Sequence, residues 1–283
     1  MRSSMEMIAR RAALDWHMDA GVDWLLNEIP APMIGLSDDR AVAIKQDSEK
    51  YNRVFIQPST ISVPPLGASE ARTESVMLAA GAETLDSLKG AIANFDGLGL
   101  KTTAANMVFA CGNPKAQIMI VAEAPESEDD RTGQIFAGAD GQLLDKILAS
   151  IGLTRDTGAD PESSVYISPM LNWRPPGNRS LSAAEIATTL PFIERHIRLV
   201  QPQMLVFLGG VVGKTLLGCA EPFSRLRGRW FDYTPVTPEF QNGTIPIPAI
   251  VMLAPAVLLQ NPAQKRAVWE DTLKILEKKN SLK

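Results

Sequence analysis

Between residues 117 and 253 the chain repeats one pattern, a short apolar run followed by a longer amphipathic segment. The runs are residues 117–122 (QIMIVA), 165–168 (VYIS), 204–208 (MLVFL) and 247–253 (IPAIVML), and none carries a charge. A run that is apolar without polar alternation is buried on both faces, as the strands of a parallel sheet are. The segments between the runs keep helical spacing. Leu143, Leu144, Ile147, Leu148 and Ile151 share one helical face, and Gly152 is placed to end that helix. Ser182 and Glu185 supply the Ser-x-x-Glu of a capping box, opening a helix with Ile186, Leu190, Ile193 and Ile197 on one side. Pro191 lies inside that helix and is expected to kink it. Asn261-Pro262 suits the start of a last helix, with proline at the first helical position. Strands alternating with helices make βαβ units, so the expectation is an α/β protein with a mostly parallel sheet covered on both faces.

The amino-terminal part reads differently. Residues 5–27 suggest a helix interrupted or ended at Gly21. Residues 29–75 contain Pro30, Pro32, Pro58, Pro64 and Pro65, with little periodicity. A structureless stretch of that length inside a compact domain would be unusual, so it is expected to be a flexible proline-rich linker outside the core. Leu85, Leu88 and Ile92 open the periodic region. The expected organisation is an N-terminal helix plus linker over residues 1–75 and an α/β domain over residues 76–283.

Composition narrows the function classes. Two cysteines, Cys111 and Cys219, exclude a disulfide framework and, together with only two histidines, His17 and His196, leave a structural zinc or a four-cysteine iron–sulfur cluster short of ligands. No stretch approaches the ~20 apolar residues of a membrane helix. The first residues lack an apolar signal-peptide region, and a reducing cytoplasm is the expected compartment. Net charge is −4, which argues against a wholly basic nucleic-acid coat. The charge is polarised, however. Residues 120–162 carry ten acids and three bases, and residues 174–230 carry eight bases and three acids. One face can therefore bind phosphate while the whole chain stays acidic.

Ligands of parallel sheets bind outside the carboxyl ends of the strands. The segments to inspect therefore begin at Glu123, Pro169, Gly209 and Ala254. The third, residues 209–215 (GGVVGKT), resembles a phosphate-binding P-loop but has three residues where that motif needs four between its glycines. It reads as a tight strand-to-helix turn with close packing. The other three carry chemistry. Residues 122–138 (AEAPESEDDRTGQIFAG) place an acidic cluster at a strand end, where a proton, a water or a metal is often held. Residues 172–179 (NWRPPGNR) put two guanidiniums and an amide on a stiff turn. Residues 254–262 (APAVLLQNP) follow the last strand. A basic loop beside an acidic pocket suits a phosphodiester substrate whose reacting atom lies off the backbone.

Together with Phe95-Asp96-Gly97, residues 141–145 (GQLLD), residues 226–230 (LRGRW) and the tail 261–271, these segments resemble family 4 of the uracil-DNA glycosylase superfamily from about residue 84 to residue 278. The opening helix, with Ala20-Gly21-Val22-Asp23, is similar to bacterial members. The resemblance implies a three-layer α/β/α fold with a central, mostly parallel four-stranded sheet. It implies hydrolysis of the bond between uracil, or another deaminated base, and deoxyribose in DNA, after the base has been flipped from the stack. Glu123 matches the carboxylate that directs water and steadies the cationic sugar. Ala124 and Pro125 complete its motif at the substrate. Phe136 matches the stacking aromatic, and Asn178 matches an asparagine near the active site. Arg174, Arg179, Arg227 and Lys265 are implied phosphate contacts. The implied partner is single- or double-stranded DNA, bound by a monomer without a membrane.

The chain departs from the family pattern in four places. The histidine that stabilises the departing base is replaced by Ala254. The asparagine that reads the uracil edge falls at Pro169, with Ser168 or Asn172 as candidate substitutes. Ala122 and Glu126 replace the outer glycines of the first motif. The four iron–sulfur cysteines are unmatched, Leu98 or Gly99 and Trp173 standing where two would be. The expectation is therefore a protein without a cofactor or metal, with Trp173 packed into the vacated space. Three readings follow: a base-excision enzyme using Glu123, an impaired family member that binds DNA or damaged bases without turnover, or the same fold serving an unrelated small-molecule or protein partner.

Overall fold

The computed structural model describes residues 66–281. The expected opening helix and most of the expected linker lie outside the described residues. In chain order the elements are α1 (Leu66–Gly81), α2 (Leu85–Asn94), β1 (Cys111–Gly112), β2 (Ile118–Ala122), α3 (Ser127–Thr132), α4 (Ala139–Ser150), β3 (Val165–Pro169), α5 (Ala183–Val200), β4 (Met204–Leu208), α6 (Gly210–Leu216), α7 (Phe223–Leu226), β5 (Trp230–Tyr233), β6 (Ile247–Met252), α8 (Pro255–Gln260) and α9 (Lys265–Ser281). Helix α1 begins at Leu66, ahead of the boundary expected at residue 76. Its buried face is built of small residues, Ser75 and Ala79, continued by Ala82. Small side chains let it lie closely along α5, and they give no large apolar stripe for a sequence reading to find.

All four apolar runs form strands. They lie side by side in the order β3-β2-β4-β6 and all pair in parallel. The sheet has six strands rather than four, because β1 and β5 add to its two edges in antiparallel orientation. Strand β1 is two residues long, and β5 is a four-residue strand containing Asp232, so neither carries the continuous apolar signal of a buried parallel strand.

Alternate strand residues feed opposite layers. Ile118, Ile120, Ile167, Val206 and Ile250 face Leu144, Ile147, Leu258, Val268 and Ile275 of α4, α8 and α9. Met119, Val121, Leu205, Phe207 and Val251 face Leu190, Ile193, Val212, Leu216 and Leu226 of α5, α6 and α7. This is the three-layer arrangement. A third cluster joins Leu88 and Ile92 of α2 to Phe95, Leu98, Trp173 and Phe192.

The expected capping box and the helix stop at Gly152 are both present. Ser182 Oγ accepts from Glu185 N at 3.2 Å, and the Glu185 carboxylate accepts from Ser182 N at 2.8 Å. Helix α5 runs unbroken through Pro191. Gly152 has a φ of +69°, the left-handed conformation that ends α4. The glycine-rich turn is structural. Gly209 has a φ of +99°, and a Cβ on Gly213 would meet Val251 at 2.8 Å, so this glycine lets α6 lie against β6.

Candidate active site

Strand β2 lies between β3 and β4, and its connection runs to β3, while the chain leaving β4 runs the other way, to β5 and then β6. Connections that diverge from neighbouring strands open a crevice at their carboxyl ends. A cavity of about 240 Å³ lies there. Ala122 and Leu208, the last residues of β2 and β4, form its floor, and Ala254 and Ala256 beyond β6 form one side. Glu123, Ala124, Pro125, Phe136, Asn178 and Arg179 complete it, with Glu126, Asp129 and Asp140. Seven of the residues expected at the site are therefore brought together.

Glu123 is half-buried immediately after β2. Its backbone carbonyl accepts from Leu171 N at 3.1 Å, which ties it to the segment following β3. Among the described residues its carboxylate has no hydrogen-bond or ion-pair partner. Burial alone pushes its pKa above the ordinary carboxylate value. A desolvated carboxylate with no bond of its own is suited to accept a proton from water or to face a developing cation.

The wall opposite is an acid-rich loop that orders itself. Asp129 is buried and accepts from Ala137 N at 2.8 Å and Glu126 N at 3.1 Å, holding both ends of the loop. Asp130 accepts from Ala105 N at 2.8 Å and Asn106 N at 3.1 Å. Burial raises the pKa of Glu126, with further upward pushes from Asp140 and Asp129 against a downward pull from Arg174. Asp140 is raised by burial first and by Asp129 also, while the backbone N–H groups at the start of α4 pull it down.

Phe136 is buried in the cavity wall with a φ of +56°, a left-handed conformation uncommon for an aromatic residue. Such strain persists only where the surroundings impose it. Two neighbours do so here. Arg155 Nη1 donates to the carbonyls of Ile135 and Phe136, each at 3.2 Å, while its other nitrogens grip Asp145 at 2.6 Å. Gly141 lies against the Phe136 carbonyl oxygen, where any Cβ would overlap it. Sequence reasoning missed Arg155, which belongs to none of the segments singled out and reaches Asp145 ten residues away.

The other expected residues separate. Asn178 has a φ of +54°, and its Oδ1 accepts from Arg174 Nε at 2.7 Å, which leaves the amide N–H group as its donor to the cavity. The Arg179 guanidinium donates to Glu185 at 2.6 and 2.9 Å and to the Ser180 carbonyl at 3.0 Å. This pairing draws the Glu185 pKa down to about 2, so Arg179 fastens the loop to α5. Arg227, expected to contact phosphate, lies outside the cavity lining: Nη1 donates to the Asp271 carboxylate and the Ala267 carbonyl, both at 2.9 Å, and Asp271 is 1% exposed. That guanidinium pins α9 to the sheet. Lys265, at the start of α9, is half-buried outside the cavity lining.

The substrate contact expected of Ser168 is corrected. Its side chain is fully buried away from the cavity, with Oγ 3.0 Å from the Phe109 carbonyl and 3.2 Å from His196 Nδ1. His196 Nε2 is 2.9 Å from the Tyr166 hydroxyl, and the ring stacks on Phe109 at 4.6 Å. Burial lowers the His196 pKa to about 3, so this histidine is a neutral core group. Asn172 is likewise buried, donating to the Val108 carbonyl at 2.9 Å.

The family's iron–sulfur cluster does not fit these residues. Leu98 and Trp173, which stand at two of the expected ligand positions, are buried members of one apolar cluster. The chain's two cysteines pack against opposite faces of the sheet, Cys111 with the α4 layer and Cys219 with the α5 layer. Burial pushes the Cys111 thiol pKa upward, away from the thiolate that metals need.

The model of the Uracil DNA glycosylase superfamily matches residues 109–273, and the chain belongs to this superfamily, within its family 4-like branch. It is 30% identical over 199 residues to the type-4 uracil-DNA glycosylase of Archaeoglobus fulgidus, covering 69% of this chain and 93% of the relative. It is 34% identical over 177 residues to the type-4 uracil-DNA glycosylase of Sulfurisphaera tokodaii, covering 61% and 74%. It is 28% identical over 191 residues to that of Pyrobaculum aerophilum, covering 66% and 90%.

Proposed function

We propose that this chain is a DNA-repair glycosylase that hydrolyses the N-glycosidic bond of a damaged base, uracil or another deaminated base, flipped into the cavity at the carboxyl ends of β2 and β4. The observation that carries this reading is the unpartnered, partly desolvated Glu123 carboxylate beside the buried Phe136 ring in one cavity. Phe136 stacks on the base. Glu123 accepts a proton from the attacking water and faces the cationic sugar. Arg174 and the loop 175–179 lie along the DNA backbone beside the cavity. The Asn178 amide donates to the base, and the reaction uses no metal and no iron–sulfur cluster.

The test is base release from uracil-containing single- and double-stranded DNA with enzyme in excess. Release by the wild type that falls about 10²–10⁴-fold in Glu123→Ala supports the reading. Equal release by the two proteins overturns the role of Glu123. A second reading rests on Ala254, which gives the cavity a methyl group where a donor to the departing base belongs. In that reading the chain binds damaged DNA without turnover, and the same assay shows tight uracil-DNA binding with no release.

A further inference from the structure

The charges around the cavity and the missing donor point to one class of base. Uracil leaves with the electron pair of the C1′–N bond and so departs as an anion. Two things in this cavity oppose that. Position 254 offers no donor side chain, and Glu123, Glu126 and Asp140 line the cavity with no lysine or histidine among its lining residues. The one arginine of the lining, Arg179, is occupied by Glu185. Like charges in a partly desolvated site repel strongly.

A base alkylated on a ring nitrogen, such as 7-methylguanine or 3-methyladenine, inverts each of these terms. Its nucleotide carries a positive charge before reaction. When C1′–N breaks, the electron pair neutralises that charge and the base leaves as a neutral molecule. Water adds to C1′, its proton passes to Glu123 and then to solvent, and an abasic sugar remains, so the step balances with water as the only co-reactant. No donor is needed at residue 254. The positive charge moves from base to sugar as the bond breaks, so Glu126 and Asp140 act on binding of the cationic base and Glu123 on the sugar cation. The Phe136 ring adds a cation–π face.

We propose that this cavity takes cationic, N-alkylated bases in DNA and releases them in preference to uracil. The proposal rests on the glycosylase reading above and names its substrate class.

The experiment compares release from two duplexes under single-turnover conditions, one treated with dimethyl sulfate and one containing uracil, with Glu123→Ala as the control for spontaneous loss. The expected result is Glu123-dependent release of methylated purines at least about tenfold faster than uracil, given that one missing donor costs about 10²–10³ for an anionic leaving group. Glu126→Gln and Asp140→Asn are expected to raise the half-saturating enzyme concentration for methylated DNA at least about tenfold, the loss of a charge contact in a partly buried site. Glu126 is exposed, so its variant does not threaten the fold. Release of uracil alone, or methylated-base affinity unchanged in both variants, overturns this proposal and leaves the glycosylase reading intact. Release of neither base overturns both.

Discussion

Arg155 and Phe136 are coupled through one hydrogen bond: the guanidinium donates to the carbonyl of the left-handed aromatic residue at 3.2 Å and is itself fixed by Asp145. The ring that faces the cavity is therefore aimed by a residue that does not line it. Arg155→Ala frees the Phe136 backbone to relax toward the right-handed region. We expect base release to fall about tenfold to 10²-fold, the effect of misplacing a substrate-positioning group. The loss should fall on the half-saturating concentration more than on the maximal rate. Arg155→Lys, which keeps the charge toward Asp145 but not the forked donors, should recover only part of it. A wild-type concentration dependence in Arg155→Ala would refute the coupling.

Glu123 is costly to the fold in its ionised form. Its folded pKa is raised by burial, so the folded protein holds a proton at pH values where the unfolded chain has already lost it. Stability therefore falls as pH rises through that window. Glu123→Gln removes this cost. The expected outcome is a melting temperature at pH 7 equal to or above that of the wild type, with base release lost, and an advantage that shrinks as pH falls into the carboxylate range. Thermal melts of both proteins from pH 4 to pH 8 test this, and a variant clearly less stable at pH 7 would show that Glu123 has a structural partner.

Much of this arrangement was legible in the chain. The four parallel strands announced themselves as charge-free apolar runs because both of their faces are covered. The strand ends then located the cavity, and Glu123, Phe136 and Asn178 all line it. The edge strands did not announce themselves, since two residues at Cys111–Gly112 cannot show a period. Helix α1 escaped because its buried face is Ser75 and Ala79 rather than a leucine stripe. Arginines were the least legible. Nothing in the residue types of Arg174, Arg179 and Arg227 distinguishes a phosphate contact from an internal clamp. Only the positions of Glu185, six residues beyond Arg179, and of Asp271, 44 residues beyond Arg227, separate them.

That separation is measurable. Arg227→Met strips the partner from a carboxylate that is buried, and breaking such a pair costs about 3–5 kcal/mol. We expect a large drop in the urea midpoint at pH 7, with the salt dependence of DNA binding unchanged once the protein is folded. Arg174→Ala, next to the cavity and bonded among the described residues only to Asn178, should do the opposite. Its stability should hold, while the slope of log binding constant against log salt should shrink by about 1, the signature of one lost phosphate contact. A reduced slope in Arg227→Met at full folding would restore it as a DNA contact.

His196 makes the core sensitive to acid. Its folded pKa is lowered to about 3, below the unfolded value of about 6.5. Below pH 6.5 the unfolded chain binds a proton that the folded protein refuses, so this contribution is whole above pH 6.5 and is lost as pH falls toward 3. His196→Phe keeps the stack on Phe109 and gives up the contacts to Tyr166 and Ser168, so it should be less stable at pH 7 by about 1–3 kcal/mol. At pH 5 the gap should narrow by about 2 kcal/mol, from 1.4 kcal/mol per pH unit below the unfolded pKa. Urea unfolding of the two proteins at both pH values reads this directly, and a gap that does not move would mean that His196 can take up a proton in place.

Ala254 offers a test by addition. It caps α8 at the cavity side, with Pro255 at the first helical position and Ala256 also in the lining. Ala254→His places an imidazole donor where uracil's negative charge develops. Removing such a donor costs about 10²–10³ in rate, so installing one should raise uracil release at least about tenfold. A base that leaves neutral gains nothing from the donor, and a protonated imidazole would repel a cationic nucleotide. Release of methylated purines should therefore stay level or fall in the same variant. The two rates moving in opposite directions would assign the chemistry at residue 254 to the charge of the leaving base. If both rose together, the histidine would be acting on something common to the two substrates, such as the position of the sugar or the attacking water.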